Sequence, residues 1–125
     1  MTPALFLALS LAGGIGAATR LLLDGLIKAR TGGAYPWGTT VINVTGSLLL
    51  GLITGLALAG IAPEPWRLVL GTGFLGGYTT FSTASLETVR LLAEGRQLAS
   101  AINALGTLLL SVIAAATGLW LGGAR

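Results

Sequence analysis

The sequence predicts an all-α membrane protein of four transmembrane helices, on three observations. Of the 125 residues, 54% are hydrophobic and only 9% are charged, against about 25% charged in a soluble domain. Too few charges remain to coat a water-facing surface. The apolar residues fall in four long blocks, each near the ~20 residues that a bilayer requires. Finally, the seven basic residues mostly flank those blocks, where membrane proteins keep them. The length suits one domain, residues 1–125, and no linker or low-complexity tract interrupts it.

The first segment covers residues 3–23 and continues as a helix toward Lys28. No Lys or Arg precedes its apolar run, which extends to Arg20, so it reads as a retained membrane helix and not a signal peptide. Thr31, Gly32, Gly33 and Pro36 mark the first loop. The second segment covers residues 37–59, and Pro63 and Pro65 punctuate the loop after it. The third covers residues 66–92. Glu94, Gly95 and Arg96 make a short turn into the fourth, residues 98–122. Loops this short make consecutive helices antiparallel neighbours, which places both ends of the four-helix unit on one side.

Twenty glycines are many for a helical chain. Glycine costs about 1 kcal/mol per helix position in water, but membrane helices use small residues for close approach. In the second segment Thr39, Asn43, Ser47, Gly51, Gly55 and Ala59 recur every fourth residue, which puts them on one face. Ala12, Gly16, Arg20 and Asp24 do the same in the first, and Asn103, Thr107 and Ser111 in the fourth. For the glycines, close helix packing is the expected use. Polar groups at membrane depth either join helices by hydrogen bonds or line a wet path, and both readings stay open for the Asn, Ser and Thr positions.

The third segment contains Gly71-Thr72-Gly73-Phe74-Leu75-Gly76-Gly77-Tyr78-Thr79-Thr80-Phe81-Ser82-Thr83. Its first six residues match the dinucleotide fingerprint G-x-G-x-x-G. That motif requires a βαβ unit, which nothing else here supplies, and a P-loop fails because no Lys follows the glycines. Physically, glycines followed by β-branched threonines make a poor continuous helix, so the third helix is expected to break near its Gly-rich centre. Backbone freed by a break is tolerated only when buried in protein or lining a cavity. Freed carbonyls can hold a cation, and half-helix N-termini favour an anion. The alternative is an intact helix packed closely on its neighbours.

The chain has no cysteine and no histidine. Disulfides, the usual zinc ligands and the commonest general base are therefore absent. The four carboxylates, Asp24, Glu64, Glu87 and Glu94, are scattered near segment ends. An enzyme is not expected. The net charge of +3 comes without a basic patch interleaved with aromatics, so no nucleic-acid partner is expected either. Arg20 is the one basic residue placed within an apolar span. Its charge would cost about 2.5–3.5 kcal/mol at a helix centre. It either pairs with Asp24 one turn on or acts as a fixed charge that attracts anions. Phe81 sits among hydroxyls, and its positive ring edge suits a small anion, although a lone membrane Phe also simply packs.

Three stretches carry a family resemblance. Gly13-Gly14-Ile15-Gly16-Ala17-Ala18-Thr19-Arg20, Pro36-Trp37-Gly38-Thr39-Thr40-Val41-Ile42-Asn43-Val44-Thr45-Gly46-Ser47 and Gly73 through Thr83 resemble the helix signatures of the Fluc (CrcB) fluoride channels. Asn103, Thr107 and Ser111 are similar to the polar track of that family's last helix. The resemblance implies a dimer of antiparallel subunits in the plasma (inner) membrane, with fluoride pathways at the interface and a buried structural Na+. By motif position, the backbone carbonyls of Gly76 and Thr79 would hold the sodium ion. Asn43, Thr80, Phe81, Ser82, Thr83, Asn103, Thr107 and Ser111 would line the pore, and Arg20 would attract anions at a vestibule. Two positions depart: Leu75 stands where many members have Cys, and Ala84 where most have a second pore-lining Phe.

The rival function is a small multidrug-type transporter, also of four short helices, which needs a titratable carboxylate inside the bundle. A third is a non-conducting sister subunit of a heterodimeric channel. Two features bear on the partner. Ala84 removes a ring that a Phe-bearing sister would restore. In addition, loops one and three carry Lys28, Arg30, Arg90 and Arg96, while the opposite side carries Arg67 and Arg125. Four against two is a weak positive-inside bias. A subunit that inserts equally in both orientations should show almost none. Homodimer and heterodimer both remain open.

Overall fold

A computed structural model describes residues 1–123. Among these, every regular element is helical. Helix α1, Pro3–Thr31, starts where the Thr2 hydroxyl accepts the N–H of Leu5 at 3.1 Å, with Pro3 in the first turn, where no donor is lost. It stops at Gly32, whose φ of 80° lets its N–H close on Lys28 O at 2.9 Å. Helix α2 is Trp37–Leu58. Helix α3 covers residues 64–78, and its stretch Arg67–Leu75 winds in wide π turns. Thr79 (φ −80°, ψ 156°) and Thr80 (φ −147°, ψ 122°) are extended. Helix α4, Phe81–Ala93, follows with Thr80 as its N-cap, the hydroxyl accepting Thr83 N–H at 3.2 Å. Helix α5, Gln97–Leu121, carries a second π turn at Ile102–Gly106.

Four apolar blocks thus give three continuous helices long and apolar enough to cross a membrane, α1, α2 and α5. The third block is divided between α3 and α4. The division falls where Thr79 and Thr80 follow the glycines, so β-branched side chains and local hydroxyl bonding replace a helical turn.

Two close crossings organise the chain. On α2 and α5 the glycines interlock. A Cβ added at Gly51 would lie 2.2 Å from Ala115 O, and one at Gly118 would lie 2.2 Å from Leu48 O. On α1 and α3, a Cβ at Gly16 would lie 2.0 Å from Phe74 O and one at Gly77 would lie 2.0 Å from Gly13 O. No side chain fits between these backbones, which is the packing expected where lipid removes any hydrophobic drive. The buried apolar cluster is small, Ile42, Leu75 and Tyr78, with Leu23, Ile53 and Phe74 packed on it. Many large apolar side chains instead face outward, as a lipid-bathed surface requires. The Arg96 guanidinium donates to Ala34 O, which ties the first and third loops together at one end. In the charge comparison, Arg125 lies outside the described residues.

Candidate functional site

The extended pair Thr79–Thr80 takes backbone groups out of the helical ladder, and α2 supplies partners. Thr80 N–H donates to Asn43 Oδ1 at 2.8 Å, while Asn43 Nδ2 donates to Thr80 O at 2.8 Å. One asparagine therefore replaces both bonds that a continuing strand or helix would have made. Two residues away from Asn43 and Thr80, the hydroxyls of Thr45 and Tyr78 share a hydrogen bond at 3.1 Å. Gly46 leaves room for the Thr79 methyl, since a Cβ there would lie 2.4 Å from it. From α1, Arg20 Nε donates to Gly77 O at 3.4 Å. Thr79 N–H and hydroxyl both donate to Leu75 O at 2.9 Å. No hydrogen bond among the described residues reaches the carbonyls of Gly76 and Thr79.

Beside the break runs a groove of about 570 Å³ between α2, α4 and α5. Of the residues singled out in the sequence, Asn43, Thr79, Thr80, Phe81, Asn103, Thr107 and Ser111 line it. Ser82 and Thr83 do not. Both instead approach the Thr80 hydroxyl, at 3.4 and 3.1 Å, on the N-cap of α4. Gly76 and Arg20 also lie outside the lining. The Arg20–Asp24 pair allowed by spacing does not form. Arg20 turns to Gly77, and Asp24 sits 4.0 Å from Lys28 with its carboxylate against Gly38. Phe81 is 87% exposed, so its ring edge is uncommitted within one chain.

The groove's polar groups are neutral. Ser47, Ser85 and Thr88 join the expected hydroxyls, and no carboxylate lines it. Thr107 Oγ1 pairs with Thr40 Oγ1 at 3.2 Å, while the buried Ser111 hydroxyl has no partner. The N-terminus of α4, with the partial positive charge of a helix dipole, opens at Thr80 and Phe81. Hydroxyls, an amide and a helix N-terminus together suit a small anion, with no fixed positive charge to trap it. Glu87, the carboxylate of mid-α4, accepts a hydrogen bond from the buried Thr39 hydroxyl. Ser85 and Thr88 escaped the sequence reading, although their spacing from Phe81, four and seven residues on, marks the same helix face.

For a cation, no group of three or more His, Cys, Asp or Glu exists among the described residues. The carbonyls of Gly76 and Thr79, which no hydrogen bond among the described residues reaches, are oxygens of a kind that suits a hard ion. At the loop end, Arg67 bonds Glu64, which holds the Glu64 carboxyl below its ordinary value.

Known proteins resemble this chain over nearly its whole length. The family described as CrcB-like protein, Camphor Resistance (CrcB), matches residues 7–119. A relative from Leifsonia xyli subsp. xyli named "Fluoride-specific ion channel FluC 1" is 54% identical over 123 residues, covering 98% of this chain and 90% of the relative. "Fluoride-specific ion channel FluC 3" of Bifidobacterium longum is 47% identical over 118 residues, 94% of this chain and 98% of its own. "Fluoride-specific ion channel FluC 1" of Streptomyces avermitilis is 44% identical over 106 residues, 85% and 86% of the two chains.

Proposed function

Because the chain belongs to the CrcB family, we propose that it is a fluoride-selective channel of the cell membrane through which cytoplasmic fluoride leaves passively. The observation that carries this reading is the neutral, donor-lined groove at the mouth of α4. Fluoride is small and strongly hydrated, so a pore must exchange its water for close donors. The Ser111 hydroxyl, the Asn43 amide and the Phe81 ring edge are such donors. In this reading α3 and α4 together make the third crossing, and the break sits at membrane depth. Asn43 makes that tolerable by satisfying the Thr80 backbone.

The groove is open-sided in one chain, and Phe81 projects freely from it. A second, antiparallel subunit would close it. The Gly76 and Thr79 carbonyls, with the same pair from that subunit, would make four ligands for a structural sodium ion. The ion would supply a fixed positive charge that raises the local potential for anions. The partner is a second copy or a sister chain. Relatives numbered FluC 1, 2 and 3 and Ala84 on the groove wall favour weighing the sister. The multidrug-transporter alternative requires a carboxylate facing the path, and Glu87 is instead engaged by Thr39.

Expression in a bacterium lacking its own fluoride exporters tests the proposal. Growth in fluoride medium should recover, with no gain in resistance to hydrophobic cations. Resistance to such cations without fluoride resistance would favour the transporter.

A further inference from the structure

The two asparagines of the groove differ in how their donors are used. A primary amide has two N–H donors and one carbonyl acceptor. Asn43 gives one N–H to Thr80 O and accepts Thr80 N–H, so it keeps one N–H unspent beside the groove. Asn103 keeps none. Its Nδ2 donates to Thr88 Oγ1 at 2.8 Å and to Ala84 O at 3.3 Å. Thr88 has given its own proton to Ala84 O at 2.8 Å, so its oxygen can only accept from Asn103. Turning the amide over would set its oxygen against two acceptors, which fixes the orientation. What remains is Oδ1, buried and without a partner, and an oxygen acceptor repels an anion.

The surroundings make the same use of Asn103. It is 1% exposed and lies in the π turn Ile102–Gly106 of α5. One turn earlier, the Ser100 hydroxyl donates to Thr88 O at 2.7 Å. Thr88 is thus a node through which α5 grips α4, four and three residues from Ala84 and Ser85 on the groove wall. We propose that Asn103 is a positioning residue that fastens α4 to α5 through Thr88, and that it offers the passing anion no N–H. Of the two asparagines, only Asn43 meets the ion. This rests on the channel reading for the identity of the anion, but not for the brace itself.

The chain has two asparagines and one glutamine, so ¹⁵N-labelled protein in lipid nanodiscs gives three side-chain amide pairs, assignable by single substitutions. On titration with sodium fluoride, one Asn43 proton should shift saturably, and the Asn103 pair should not move; sodium chloride should move neither. The Asn103 protons should also exchange with deuterium at least about tenfold more slowly than those of exposed Gln97. Thr88→Val removes one acceptor and should abolish that protection, while Thr88→Ser keeps it. A saturable fluoride shift at Asn103 in the unmodified protein overturns the proposal, as does unchanged exchange in Thr88→Val. Should Thr88→Val not fold, the wild-type titration and exchange decide alone. Should Asn43 also ignore fluoride, the channel reading is what fails, and the Asn103 exchange rates still judge the brace.

Discussion

One stripe of α2 meets its neighbours in two different ways. Toward the C-terminal end, Gly51 and Gly55 lie so near the backbone of Ala115 and Leu119 that no Cβ fits. Toward the N-terminal end, Thr39, Asn43 and Ser47 keep polar side chains, which bond Glu87, bond the Thr80 backbone and line the groove. The spacing is the same at both ends. Side-chain size and polarity decide whether the helices close into a dry contact or stand apart around a polar groove. The glycine end sets how rigidly α2 and α5 cross, and the polar end uses that rigidity to hold the break between α3 and α4.

Substitutions at the two ends should therefore fail differently. The largest effect is expected at the polar end. Asn43→Asp puts a negative charge in the proposed anion path and takes away the donor to Thr80 O. Fluoride flux should fall by about 100-fold or more, given the strength of charge interactions away from water. The size-exclusion profile should stay unchanged. At the glycine end, Gly118→Val would drive a side chain into Leu48 O and Leu52 N. Overpacking of this kind costs about 1–3 kcal/mol. It should appear as a lower thermal unfolding midpoint and loss of the folded peak, before any question of flux. If Gly118→Val stays stable and Asn43→Asp unfolds, the division of labour along α2 is reversed.

Smaller effects sharpen the contrast. Phe81→Ile exchanges a ring edge for an alkyl group and should lower flux up to about tenfold, in line with the worth of one aromatic contact. Leu110→Ile, at an outward-facing position, should change neither flux nor stability. The least effect belongs to Arg67→Gln. The Arg67 hydrogen bond, with its charge, holds the Glu64 carboxyl below its ordinary value. The pair's small contribution to stability is present above the carboxylate's ordinary value and is lost as pH falls through the lowered one. In Arg67→Gln, a ¹³C titration of Glu64 should return toward the ordinary value, with flux unaltered.

Much of this was legible in the sequence, and the reasons are physical. Apolar block length found the helices, because a bilayer fixes how many residues must be apolar. Glycines followed by threonines point to a break at the Gly-rich centre, but the chain stays helical through Tyr78 and is extended only at Thr79 and Thr80. Four-residue spacing found the α2 and α5 stripes. What stayed hidden depended on donor and acceptor arithmetic in three dimensions. The sequence offered Arg20 to Asp24, but the bend of the chain brings Gly77 O nearer. Spacing could not show that Thr88 joins α4 to α5, nor that the Asn103 amide donates there. Ser82 and Thr83 share the motif with Thr80, yet helix α4 carries their side chains off the groove, around the N-cap.

Purified protein in liposomes loaded with fluoride and chloride, with no pH difference across the membrane, tests the central claim most directly. Fluoride leaving down its gradient, read by a fluoride electrode once an ionophore balances charge, with chloride retained, is the result predicted for a neutral donor-lined path. Fluoride that leaves only when a proton gradient is imposed, or chloride leaving at the same rate, would contradict it.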